Sequence, residues 1–233
     1  MSVPIAVFAS GGGTNLQALL DHLQDDDAAH VALVVCDRAD AFALQRARDA
    51  LIATAYVDVR GRDRDDVAEA MLEALDAHDI QLIVLAGYMR LVPAAVIGRY
   101  VDRILNIHPA LLPSFGGRGM YGHHVHEAVI AAGCRVTGVT VHLVNERYDE
   151  GRILAQWPVP VLPGDTADSL AARVLSIEHC VYPATVAAIA RRIIERSGKS
   201  VDADATTSHT TDIFRLAASH DGIDADLHTI TRL

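Results

Sequence analysis

The run LNIHPALLP, residues 105–113, is apolar except for Asn106 and His108. In an extended segment the period of two puts Asn106 and His108 on one face and Leu105 and Ile107 on the other. Pro109 lacks an N–H and biases its predecessor toward extended geometry, so the strand is predicted to end at His108. An amide and a titratable imidazole would then aim at one point, a pairing suited to hydrogen bonding and proton transfer near neutral pH. A satisfied core histidine beside a turn-forming asparagine is the other reading of the same two residues.

Two further stretches carry chemistry. SGGGTN, residues 10–15, joins an apolar run to a helical pattern. Its glycines would let backbone N–H groups approach an anion at a helix N-terminus, which suggests a phosphate cradle; a tight turn capped by Thr14 is the alternative. It is neither a GxGxxG fingerprint nor a lysine-bearing P-loop. VHLVNERYDEG places His142 on a strand and Asp149 in a loop with Glu146, Arg147 and Glu150, which by charge alone reads as solvated. His123, His124 and His126 lack a cysteine or acid completing a tightly spaced ligand set, so no metal is expected and solvent or substrate contacts are.

These residues need a frame. Ile5 to Ala9, Val31 to Cys36 and Ile80 to Gly87 read as buried strands, with helical patterns between them from Thr14, in AFALQRARDALIA and in RDDVAEAMLEALDAHD. Strand and helix alternate, which predicts an α/β fold: a mostly parallel twisted sheet with helices on both faces. After Pro113 the sequence predicts a glycine-rich loop (GGRGMYGHH), a short helix (VHEAVIAAG) and two more strands (RVTGVTVHLV and RILAQWPVPV). A long helix follows, in which Pro183 predicts a kink or a break. From Lys199 the chain turns polar, so residues 1–198 are expected to form the domain and residues 199–233 a C-terminal extension, ordered in part at most.

Composition narrows the partners. A chain of 233 residues can bury a sizeable core, and a net charge of −10 argues against nucleic acid. Cys36, Cys134 and Cys180 are unpatterned in apolar contexts, which predicts buried, reduced thiols. MSVPIAVFASGGG has no basic region, and its apolar run is too short for a signal peptide or a membrane helix. A cytoplasmic protein with no membrane partner is expected.

Taken together, FASGGGTNLQALLD, DRADAFALQRAR, VLAGYMRLV, LNIHPALLPSF, VTVHLVNERYDEGRILAQ and SIEHCVYP resemble, in type and order, the phosphoribosylglycinamide formyltransferase family of the folate-dependent formyltransferases. The resemblance runs from the first strand to about Arg192. It implies the formyltransferase fold, with a Rossmann-like, phosphate-binding half (residues 1–100) and a folate-binding, catalytic half (residues 101–198). It implies Asn106, His108 and Asp149 as the catalytic trio. Gly13, Thr14 and Asn15 would hold a ribonucleotide phosphate, and Glu178 would contact the ribose or glycinamide end. Arg64, Met89, Arg90, Leu91 and Val92 would line the folate pocket together with Asn106. The implied co-substrates are glycinamide ribonucleotide and 10-formyltetrahydrofolate, used without a metal by a monomer or homodimer in purine biosynthesis. The implied reaction is direct attack by the substrate amine with no covalent enzyme intermediate. In it, Asn106 and a protonated His108 face the oxyanion, and Asp149 raises the histidine pKa. Hydrolysis of formyltetrahydrofolate, or nucleotide binding without chemistry, are the alternatives. The chain departs from the family in the longer GGRGMYGHHVH loop, in DEGRI where relatives often read Asp-x-Gly-Pro, and after Lys199.

Overall fold

The computed structural model describes residues 2–198; the expected extension lies outside the described residues. The elements are β1 (Val3–Ala9), α1 (Thr14–Leu23), β2 (Ala29–Cys36), α2 (Phe42–Asp49), β3 (Ala53–Tyr56), α3 (Arg64–Asp76), β4 (Leu82–Leu85), α4 (Ala94–Arg99), β5 (Ile104–His108), α5 (His123–Ala131), β6 (Val136–Leu143), β7 (Ile153–Pro160) and α6 (Ala167–Gly198). The strands form one sheet in the order β3-β2-β1-β4-β5-β6-β7. The pairings from β3 to β5 are parallel, while β5–β6 and β6–β7 are antiparallel. The strand order reverses between β1 and β4, so the loops after these two strands diverge and open a crevice at their carboxyl ends.

Alternation along each strand feeds two cores. Val3, Ile5, Val7 and Ala9 of β1 pack with α1, α2, α5 and α6, whereas Ala6 and Phe8 pack with α3 and α4. The same parity governs β5: Leu105 and Ile107 enter the first core and Ile104 the second, so Asn106 and His108 share the face opposite Leu105 and Ile107. Because the sheet is covered on both sides, its strands read as continuous apolar runs. Side chains such as Leu16 and Leu19 of α1 are fully buried, each stabilising the fold by about 1.5–3 kcal/mol.

α6 runs uninterrupted through Pro183, so of the expected kink or break the break is absent. One helical hydrogen bond is lost there, but Val174, Tyr182, Val186 and Ala190 stay buried along the same face, and packing over that length outweighs a local cost of about 3 kcal/mol. The Tyr182 hydroxyl donates to the carbonyls of Leu85 (2.9 Å) and Leu105 (3.1 Å), tying the helix to β4 and β5. The cysteines correct the expectation of uniformly buried thiols: Cys36 is buried, Cys134 half-buried and Cys180 exposed. Among the described residues no helix is long and apolar enough to cross a membrane.

Candidate active site

A cavity of about 570 Å3 occupies the crevice. Asn106 and His108 enter it from the end of β5, Met89 to Val92 from the loop after β4, and Asp149 from the loop after β6, with Asn15 and Glu178 also in its wall. That volume suits a small-molecule ligand.

The polar contacts fix the orientation of each ring. His108 Nε2 donates to the Phe115 carbonyl at 2.8 Å, which leaves Nδ1 facing Asp149 Oδ2 at 3.7 Å. His142 Nδ1 donates to the Leu143 carbonyl at 2.8 Å, so its Nε2 is free to accept from Asn106 Nδ2 at 3.1 Å. Asn106 thus spends one amide hydrogen on His142 and keeps the other. Asp149 lies between the two imidazoles, 3.6 Å from His142 Nε2, and its Oδ2 accepts the Gly117 amide at 2.8 Å. Phe115 and Asp149 both adopt left-handed backbone conformations (φ 56°), at a cost of about 1–2 kcal/mol each.

Burial pushes the His108 pKa down, and Asp149 and the Phe115 carbonyl only partly oppose it. This corrects the expectation of a raised value: the carboxylate does favour the imidazolium, but desolvation wins. For Asp149 burial pulls upward, yet the His142 ring, the Gly117 amide and the His108 charge outweigh it, so the carboxyl titrates below its ordinary value. Glu178 is desolvated and its pKa rises to about 7, although Asn15 Nδ2 donates to its Oε2 at 2.8 Å.

The remaining expected site residues divide. Asn15 lines the cavity and its Nδ2 is taken by Glu178, with its buried Oδ1 left unpartnered, while Gly13 and Thr14 do not line it. The residue capping α1 is Gly13, not Thr14, and the cap uses no side chain. Gly13 has φ +68°, and a Cβ there would lie 2.8 Å from Ala43 Cβ, so only glycine fits. Arg64 is not in the main cavity; it lines an adjoining one of about 510 Å3 that shares Arg90, Leu91 and Val92. His123 and His124 begin α5 instead of closing a loop. Among the described residues no group of three His, Cys, Asp or Glu side chains could hold a metal.

Three contributors carried no assigned role in the sequence reading. His142 stands opposite Asn106 in the β5–β6 register, and the same-face pair Thr140 and His142 on β6 was its local signal. The Phe115 carbonyl had none. Asp37, at the end of β2 and buried, accepts from Arg90 Nε at 3.1 Å and anchors the loop after β4, which Ser10 also holds by accepting the Met89 amide.

Residues 3–186 match the family model described as "Formyl transferase". The chain is 37% identical to phosphoribosylglycinamide formyltransferase of Escherichia coli over 184 residues, 78% of this chain and 84% of that one. It is 40% identical to the chloroplastic phosphoribosylglycinamide formyltransferase of Arabidopsis thaliana over 82% of its own length, and spans 66% of that longer protein. The crystal structure of glycinamide ribonucleotide transformylase 1 from Symbiobacterium toebii superposes with a TM-score of 0.77 at 41% identity, covering 82% of this chain and 89% of that one. The chain therefore belongs to the formyl transferase family, within its phosphoribosylglycinamide formyltransferase branch.

Proposed function

We propose that the chain transfers the formyl group of 10-formyltetrahydrofolate to the primary amine of glycinamide ribonucleotide, a step of purine biosynthesis. The observation that carries this reading is the convergence of Asn106, His108 and Asp149 on one cavity whose wall also holds Asn15, Glu178 and the loop of Met89 to Val92.

The amine nitrogen attacks the formyl carbon, and the resulting tetrahedral oxyanion accepts a hydrogen bond from the Asn106 amide N–H that His142 does not use. His108 is neutral in the free enzyme and accepts the proton released by the amine, directly or through a water. Asp149 stabilises the imidazolium so formed. As the bond from carbon to the folate nitrogen breaks, that nitrogen receives the proton. No covalent enzyme intermediate is needed: among the cysteines, Cys36 is buried and its thiol pKa is pushed up to about 11, which makes it a poor nucleophile.

In the same reading Gly13, Thr14 and Asn15 hold the phosphate through backbone amides. Glu178 meets the ribose or glycinamide end. Met89, Arg90, Leu91 and Val92 line the folate pocket, and Arg64 lies in its extension. The phosphate-binding half (residues 1–100) and the folate-binding, catalytic half (residues 101–198) meet at the cavity. The enzyme works without a metal as a cytoplasmic monomer or homodimer, and its net charge of −10 supports small-molecule partners over nucleic acid. The test is turnover of 10-formyltetrahydrofolate with and without glycinamide ribonucleotide. Strict dependence on the ribonucleotide is expected, and equal turnover without it would overturn the assignment in favour of hydrolysis.

A further inference from the structure

We propose that Arg46, on α2, is a positioning residue that turns the amides of the SGGGTN loop outward to receive the substrate phosphate; the inference rests on the ribonucleotide reading above. Arg46 Nε donates to the Gly12 carbonyl at 2.8 Å, and its Nη1 donates to Gln17 Oε1 at 3.0 Å. One residue earlier in the loop, the Gly11 carbonyl accepts the Ala43 amide, also from α2, at 3.0 Å. The Gly13 carbonyl is taken by Gln17 N of α1.

A trans peptide points its C=O and the following N–H in opposite directions. Two successive carbonyls drawn onto α2 therefore drive the Gly12 and Gly13 amides away from it; Gly11, Gly12 and Thr14 are exposed, and Gly13 between them is buried. Among the described residues none of the amides from Gly12 to Asn15 has a protein acceptor. A row of donors at a helix N-terminus is arranged for an anion.

Arg46 is itself held in place. Its guanidinium lies 5.1 Å from the Phe42 ring centroid, and Gln17 is fixed in turn by donating to Asp21. Such a side chain has little freedom left to lose when the substrate binds. Its positive charge adds to the field at the loop, and the absence of a Cβ at Gly13 lets α2 come this close. Arg48, two residues further along α2, is exposed and makes none of these contacts, so it serves as a charge control.

The test compares Arg46→Met, Arg46→Lys and Arg48→Met in the full-length chain. Arg46→Met is expected to raise the KM for glycinamide ribonucleotide about ten- to a hundredfold, the value of a charge-assisted hydrogen bond, with kcat and the KM for 10-formyltetrahydrofolate within about twofold of wild type. Arg46→Lys, which can still reach the Gly12 carbonyl, is expected to recover part of the loss, and Arg48→Met to change nothing. Inorganic phosphate, followed by NMR on the Gly12 and Gly13 amides, reads the cradle independently of turnover. Wild type should shift at both amides and Arg46→Met at neither. If wild-type amides do not respond to phosphate or to the ribonucleotide, the cradle itself falls. If a folded Arg46→Met responds as wild type does, or if both KM values rise together, the cradle stands and the role of Arg46 is overturned. Should Arg46→Met fail to fold, Arg46→Gln, which removes the charge and shortens the side chain, takes its place in the same comparisons.

Discussion

Asn106 and His142 stand directly opposite each other on the antiparallel β5–β6 ladder, and the amide of the first donates to the ring of the second at 3.1 Å. The ring is locked by its own bond to the Leu143 carbonyl, so the asparagine inherits its orientation from a residue on another strand. His142→Phe keeps the bulk but removes the acceptor. We expect kcat to fall about ten- to a hundredfold, short of the full loss of an oxyanion donor, with little change in either KM. Steady-state kinetics with both substrates checks this, and an unchanged kcat would detach Asn106 from His142.

Asp149 sits in a left-handed backbone conformation that asparagine also tolerates, so Asp149→Asn removes charge while preserving shape. The His108 pKa, already lowered by burial, loses its main upward pull and should fall further. The acid limb of the kcat/KM profile then moves to lower pH, while the plateau drops by at least about a hundredfold because the imidazolium formed during reaction is unpaired. Histidine titration by NMR alongside the pH profile measures both effects.

Gly13→Ala should cost about 2–4 kcal/mol of stability, combining left-handed strain with the overlap against Ala43. Urea unfolding gives this value. Calorimetry at a temperature where the variant is folded should show weakened ribonucleotide binding and nearly unchanged folate binding.

Glu178 binds its proton more tightly when folded than unfolded, with its pKa raised from the ordinary 4.5 to about 7. Its contribution to stability is therefore complete below about 4.5 and is lost as pH rises through about 7. Glu178→Gln stays neutral and can still accept from Asn15. Relative to wild type it should gain stability between pH 5 and pH 8, by on the order of 3 kcal/mol. Urea midpoints across that range, parallel in both proteins, would argue that the carboxyl titrates normally.

A chain ending at residue 198 should retain turnover close to that of the full length, because every residue named in the site lies before it. Loss of activity in a folded truncation would assign the remaining residues a part in closing the site or in assembly.

What the sequence made legible followed from local signals. Buried parallel strands announce themselves as apolar runs, and the polar parity of Asn106 and His108 carried through to the cavity because one strand face is one face of a sheet. β3 was missed: ATAY is short, lies at the sheet edge and alternates half-buried with exposed residues, a pattern that turns share. α4 was missed too, since a helix of six residues after Pro93 is too short for periodicity to show. The roles of His142, Asp37 and Arg46 depend on cross-strand register and helix packing, which no window along the chain contains. The sign of the His108 shift was misjudged for a related reason: a charged neighbour can be guessed from a motif, whereas depth of burial is a property of the folded whole.

The Tyr182 hydroxyl, shared between the carbonyls of two neighbouring strands, finds its partners at one place on the sheet. Glu178 is four residues earlier on the same helix and so lies one turn away on the same side. A slip of α6 by a single residue would shift it by about 1.5 Å along its axis and strand the hydroxyl without partners. The tyrosine thus acts as a gauge mark: it sets how far the helix extends toward the cavity, and with it the height at which the glutamate waits. What reaches Glu178 is measured by a contact buried beneath the sheet, beyond the reach of any ligand.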